Sequence, residues 1–334
     1  MWIWYFLGVI FLTAASVVFA KCSLRSGDSA AVSFIRTLVI AVFYWSIVIV
    51  NGSFSELLKL DSRSVMYLIL IGISAGFATL FFFAAMKKGE AHKVAAVDEL
   101  SVIFTVILSY LIFGEAPQSA VVFLGLLGIL IGVYLIVKKG KIGVWELIAT
   151  VVVALSLMIA YHYFAKSYGL YVKIAAAVIM IAIVLYLVLR AIKIRTTTYV
   201  IYALVSALFT SLTVILSRIG VSLSSGLLIN AIKNLFALFI ILIVLAISKK
   251  WGKVKGIRGE SLLFVILSGF SVVGLFIVSD KLSAVAPSMA NGMADEAGLV
   301  AAVLLCSAFL KEKLSIRSGL GLILILVGSL VLSV

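Results

Sequence analysis

Long apolar stretches alternate with short polar breaks along the whole chain. Twelve of them approach or reach the roughly 20 residues needed to cross a membrane: 2–20, 31–50, 64–86, 94–113, 118–137, 144–165, 172–190, 198–217, 226–247, 261–279, 287–309 and 318–334. Backbone groups inside lipid must hydrogen-bond within their own segment, so these stretches read as helices. The apolar–polar alternation of a membrane β-strand is absent. The pattern therefore predicts an all-α polytopic membrane protein with about 12 transmembrane helices, or ten without the pair at 144–190. The first stretch ends in AASVVFA, which looks like a signal-peptide cleavage site, but no basic segment precedes it. It is expected to be a retained helix.

The polar positions inside these runs repeat. Asp98-Glu99 and Asp295-Glu296 are separated by 197 residues. The same offset matches Thr13 with Thr210, Lys21 with Arg218, Arg36 with Lys233, Gly72 with Gly269, Ser74 with Ser271 and Glu115 with Glu312. Beyond Glu115 the register slips by one, and Gly125 and Gly132 match Gly321 and Gly328. A five-helix unit is expected twice, at 1–137 and 198–334, joined by a two-helix insert or linker at 138–197. Five helices plus two is an odd number, so the second unit would enter the membrane from the opposite side. That is the inverted-repeat plan common among secondary transporters.

Composition agrees, with 65% apolar and 12% charged residues and a mean hydropathy of +1.32. Soluble globular domains do not have this balance. The net charge of +14 does not imply nucleic acid, because the basic residues sit in the short breaks. Assigning the breaks alternately to two sides puts 19 Lys and Arg on one and 6 on the other, which holds the N-terminus. The basic side is expected to be cytoplasmic and the termini outside, in a cell (inner) membrane. The two cysteines give no disulfide framework, no metal-ligand spacing occurs, and no phosphate-binding Gly-rich loop implies direct use of ATP. No cofactor is expected.

Four of the thirteen acids lie inside apolar runs: Asp98, Glu99, Asp295 and Glu296. An ionised group near the bilayer centre costs roughly 2.5–3.5 kcal/mol, so such residues usually have a function. Neighbours on a helix point about 100° apart. One acid of each pair is therefore expected to face a central cavity and the other a neighbouring helix. Arg36 and Lys233 either form static ion pairs with these acids, snorkel to the interface, or bind a substrate carboxylate or phosphate. Asn230 and Asn291 are further cavity candidates. Lys21 and Arg218 read as interface anchors, and Trp2, Trp4, Tyr5 and Trp45 as belt residues. His162 reads as structural. The glycines at 125, 128, 132, 319, 321 and 328 read as close-packing positions.

These residues resemble the drug/metabolite transporter superfamily, and specifically the EamA-like transporter family. The resemblance rests on a duplicated five-helix unit, with a basic residue closing the first helix (Lys21, Arg218) and another in the second (Arg36, Lys233). An acid lies early in the fourth helix (Glu99, Glu296), and a Glu follows that helix (Phe113-Gly114-Glu115, Leu310-Lys311-Glu312). It covers 1–137 and 198–334. The family often has Glu-Pro in the fourth helix, where Leu100 and Ala297 replace the proline. Asp98 and Asp295 lie outside its usual pattern. Typical members have ten helices and cytoplasmic termini. The resemblance implies a secondary active transporter of a small polar metabolite, such as an amino acid, working by alternating access. Its partners would be the substrate and the bilayer, with protons as a candidate coupling ion. The other readings are an integral membrane enzyme, a lipid-linked substrate flippase and a membrane scaffold.

Overall fold

The computed structural model describes residues 2–53, 57, 60–113, 120–137, 198–220, 226–286, 289–312 and 314–333. The predicted pair at 144–190, with His162, lies outside these residues, as does Glu115. The described residues are helical: α1 Trp2–Ser23, α2 Ser29–Val50, α3 Ser62–Lys88, α4 Ala91–Asp98, α5 Leu100–Phe113, α6 Ala120–Val137, α7 Thr198–Gly220, α8 Gly226–Ile247, α9 Trp251–Lys255, α10 Glu260–Val285, α11 Met289–Leu310 and α12 Ile316–Ser333. Seven are long and apolar enough to cross a membrane, and α6 and α12 contain shorter apolar stretches.

Each helix is an apolar run ended by a local polar device. Asp28 caps α2 by accepting from Ala30 N–H at 3.1 Å, which satisfies one of the orphan donors of a helix start. α11 stops at Lys311, whose φ of 57° turns the backbone into the left-handed region and reverses the chain direction. The predicted fourth helix differs from expectation. It is broken at Glu99 into α4 and α5, whereas the matching α11 runs unbroken. Around Glu99 the ladder tightens, and Val102 N–H bonds Glu99 C=O at 3.1 Å, three residues back. Such 3₁₀ geometry inside a helix often marks a hinge.

The helices pack in pairs across the chain: α3 with α7, α1 with α10 and α11, α2 with α8 and α10, α3 with α8, and α6 with α12. Exchanging α1–α3 with α7, α8 and α10 turns the α1–α10 pair into α7–α3 and leaves α2–α8 as itself. Serine hydroxyls stitch corresponding pairs. Ser268 Oγ donates to Ser16 C=O and Ser74 Oγ to Phe209 C=O, both at 2.8 Å. α6 and α12 touch through glycine. A Cβ on Gly132 would lie 2.5 Å from Gly321 O, and one on Gly125 2.7 Å from Gly328 O. Gly319 does not share this role, since its Cβ would meet nothing within 4 Å.

Candidate functional site

The two acid pairs converge where α4–α5 and α11 approach each other. Glu99 and Glu296, one from each half of the chain, lie near enough for their carboxyl charges to act on one another. The aspartates turn to helices of the other half of the chain. Asp98 Oδ1 accepts from Ser206 Oγ of α7 at 2.9 Å, and Asp295 Oδ1 from Thr13 Oγ1 of α1 at 3.4 Å. The second contact depends on Gly298, where a Cβ would fall 2.6 Å from Thr13 Cβ and push α1 away.

Arg36 and Lys233 do not neutralise these acids, so the static-pair expectation is corrected: among the described residues neither forms an ion pair with a carboxylate. The Arg36 guanidinium lies over the Phe83 ring, 5.2 Å from its centroid, and its Nε is buried without a partner. Lys233 Nζ donates to Asn230 Oδ1 at 2.6 Å, one helical turn away. The physical reason is local, because each base finds a π face or an amide on its own or the adjacent helix. The Asn291 side chain lies outside the described residues.

A second constellation closes one end of the bundle. Glu312 follows the left-handed Lys311 and reaches the start of α4. Its carboxylate accepts from Ala91 N–H at 3.0 Å (Oε1) and 2.8 Å (Oε2). Lys21 Nζ stands 3.6 Å from Oε1 and His92 Nδ1 3.5 Å from Oε2. Lys21 also donates to Met86 C=O at 2.6 Å and to Gly89 C=O. It is therefore no simple interface anchor, since its side chain is only 16% exposed. Burial pushes the Glu312 carboxyl up. The nearby His92 ring, the hydrogen bonds from Ala91 N–H and the charge of Lys21 outweigh burial and hold it below its ordinary value. Arg218, the counterpart of Lys21 in the repeat, is exposed. It donates to Ser109 Oγ at 3.0 Å and lies over Phe113.

Sequence reasoning missed His92 and Ser206. His92 is 1% exposed and lies between Glu90 and Glu312. Its signal was a histidine just before the Asp98-Glu99 run. Ser206 carried no signal, because hydroxyls are common in apolar helices. Trp2 and Trp4 are exposed as belt residues would be. No group of three or more potential metal ligands occurs among the described residues.

The arrangement matches known proteins. A crystal structure of another protein superposes with a TM-score of 0.58 over 98% of this chain and 95% of that one, at 15% identity, which shows a shared fold. A Sinorhizobium protein described as an uncharacterized transporter in the cobO 3' region is 33% identical over 112 residues, which are 34% of this chain and 79% of that protein. The profile of the EamA-like transporter family matches residues 1–138 and 197–334. With both halves matched and the helices arranged as described, the chain belongs to the EamA-like transporter family.

Proposed function

We propose that this protein is a secondary active transporter that moves a small polar metabolite, such as an amino acid or related compound, by alternating access, with protons as the coupling ion. The observation that carries this reading is the approach of Glu99 to Glu296. Two carboxyls from opposite halves of the chain approach each other within an apolar bundle, and among the described residues no base forms an ion pair with them. Such a pair can hold a proton between its members and give it up when a substrate amine or an opening cavity takes its place. Asp98 and Asp295, each tied to a hydroxyl of the other half, position the pair. Arg36, with its unpaired buried Nε, and Lys233 and Asn230, already joined to each other, are the candidate sites for a substrate carboxylate, with Asn291, four residues before Asp295 in sequence, as a further candidate.

The same reading assigns 1–137 and 198–334 as inverted five-helix repeats around the insert at 138–197. It is supported by the helix pairs that survive exchange of the halves and by the loop charges, which favour a cytoplasmic basic side with both termini outside. The test is uptake into reconstituted vesicles over a panel of amino acids and related metabolites, with and without a pH gradient. Glu99→Gln and Glu296→Gln are expected to abolish gradient-driven accumulation while each protein remains monodisperse. Unchanged transport rate and pH dependence in both variants would remove the carboxyl pair from the mechanism.

A further inference from the structure

Neither the acid pairs nor the Glu312 cluster involves the half-open cavity of about 440 Å³ at the end of the bundle where α3 and α8 terminate. Its lining changes character along the α3 axis. Leu80 and Phe81 of α3 and Val244 of α8 form an apolar floor, and Lys87, Lys88 and Lys250 form the rim. From Leu80 to Lys88 is about 12 Å of helix, so the wall passes from hydrocarbon-like to cationic within the depth of a lipid interface.

The three ammonium groups are held in place with donors to spare. Lys87 Nζ donates to Leu24 C=O and Arg25 C=O, and Lys250 Nζ to Asp28 Oδ2 at 3.2 Å. Lys88 Nζ sits over the Tyr202 ring at 4.7 Å from its centroid and makes no hydrogen bond among the described residues. Each ammonium carries three donors. Asp28 offsets one of the three charges, so the rim stays net positive. A cationic rim above an apolar floor, at the mouth of membrane-spanning helices, is complementary to one kind of molecule: a phosphodiester attached to acyl chains.

We propose that this cavity binds an anionic glycerophospholipid, with its phosphate at Lys87, Lys88 and Lys250 and the start of its acyl chains against Leu80, Phe81 and Val244. None of the lining residues belongs to the acid pairs or to the Glu312 cluster, and the proposal does not depend on the substrate assigned above.

The test uses the full chain in vesicles of phosphatidylcholine carrying trace spin-labelled phosphatidylglycerol or phosphatidylcholine, with the protein-bound fraction read by electron paramagnetic resonance. The parent protein is expected to favour phosphatidylglycerol. Lys87→Gln/Lys88→Gln is expected to cut that preference about fivefold for each lysine removed, the worth of one interfacial cation near an anionic headgroup. Lys253→Gln/Lys255→Gln removes the same charge from the neighbouring α9, outside the cavity, and is expected to leave most of the preference. Equal loss in the two double variants would reduce the effect to general surface charge and overturn the proposal. So would equal binding of both lipids by the parent. Displacement of phosphatidylglycerol by inorganic phosphate at constant ionic strength would show a free-phosphate site instead.

Discussion

Replacing Glu312 with alanine should open the end of the bundle that it closes. Its carboxylate takes two contacts from Ala91 N–H, at 2.8 and 3.0 Å, and faces Lys21 and His92 at 3.6 and 3.5 Å. A hydrogen bond to a charged group is worth about 1.5–3 kcal/mol, and loss of a helix-start acceptor about 0.5–2 kcal/mol. Lys21 keeps the Met86 and Gly89 carbonyls, so its charge is not stranded. A net loss of about 2–3 kcal/mol follows, or about 30- to 150-fold in the open population. A native reporter lies beside the cluster: Cys306 is fully buried. In a Cys22→Ser background, the rate at which Cys306 reacts with N-ethylmaleimide should rise about 30- to 150-fold in Glu312→Ala. Glu312→Gln keeps an acceptor for Ala91 and should rise only about tenfold, the equivalent of about 1.4 kcal/mol. The pH dependence has a definite sign. Glu312 is held below its ordinary carboxyl value of 4.5, so its contribution is complete at neutral pH and is lost as pH falls through the lowered folded value. Labelling of the parent should therefore quicken at acid pH below 4.5, relative to the reagent's reaction with a free thiol, and that of Glu312→Ala should not. A labelling rate within twofold of the parent in a monodisperse Glu312→Ala protein would refute the reasoning.

Three further outcomes follow from the packing and the backbone. Gly132→Ala places a Cβ 2.5 Å from the Gly321 carbonyl oxygen and should cost about 1–3 kcal/mol by overpacking, read as a lower thermal midpoint in detergent. Gly319→Ala, with nothing within 4 Å, should leave the midpoint unchanged or slightly raised. Lys311→Gly relieves a left-handed φ of 57° and should raise the midpoint by the equivalent of up to about 1 kcal/mol, since glycine adopts this region without a Cβ penalty.

The helix ladder was legible because lipid leaves so few choices. Uninterrupted apolar runs of this length have one stable backbone form, and the bounds of α2 and α8 lie within two residues of those expected. The meeting of Glu99 with Glu296 was half legible. Helix geometry required the members of each pair to diverge, but the sequence could not say which turned inward. The break at Glu99 was not legible, because no proline or glycine marks it and Leu100 is a good helix former. Lys21 was misread for a related reason. At the end of an apolar run a lysine usually snorkels, and only the folded chain reveals that Glu312, 291 residues away, comes to meet it. The static pairing of Arg36 and Lys233 with the acids, one of three readings open in the sequence, is not the one among the described residues. Counting opposite charges ignores the ring of Phe83 and the amide of Asn230, which lie closer to hand.

The two halves carry the same residues at matched places but hold them differently. The first acid pair sits at a break in its helix, and the second sits inside a continuous one. Lys21 is drawn under Glu312, while Arg218 stays exposed and donates to Ser109. The break at Glu99 in one half and its absence in the other mean that the shared sequence pattern accommodates two local backbone forms of this helix. Under the proposed alternating-access cycle, a duplicated unit would supply the exchange at little energetic cost, because the state one half leaves is the state the other half enters. In that proposed cycle the approach of Glu99 to Glu296, one acid from each half, is where a proton or a substrate charge would bias which end closes.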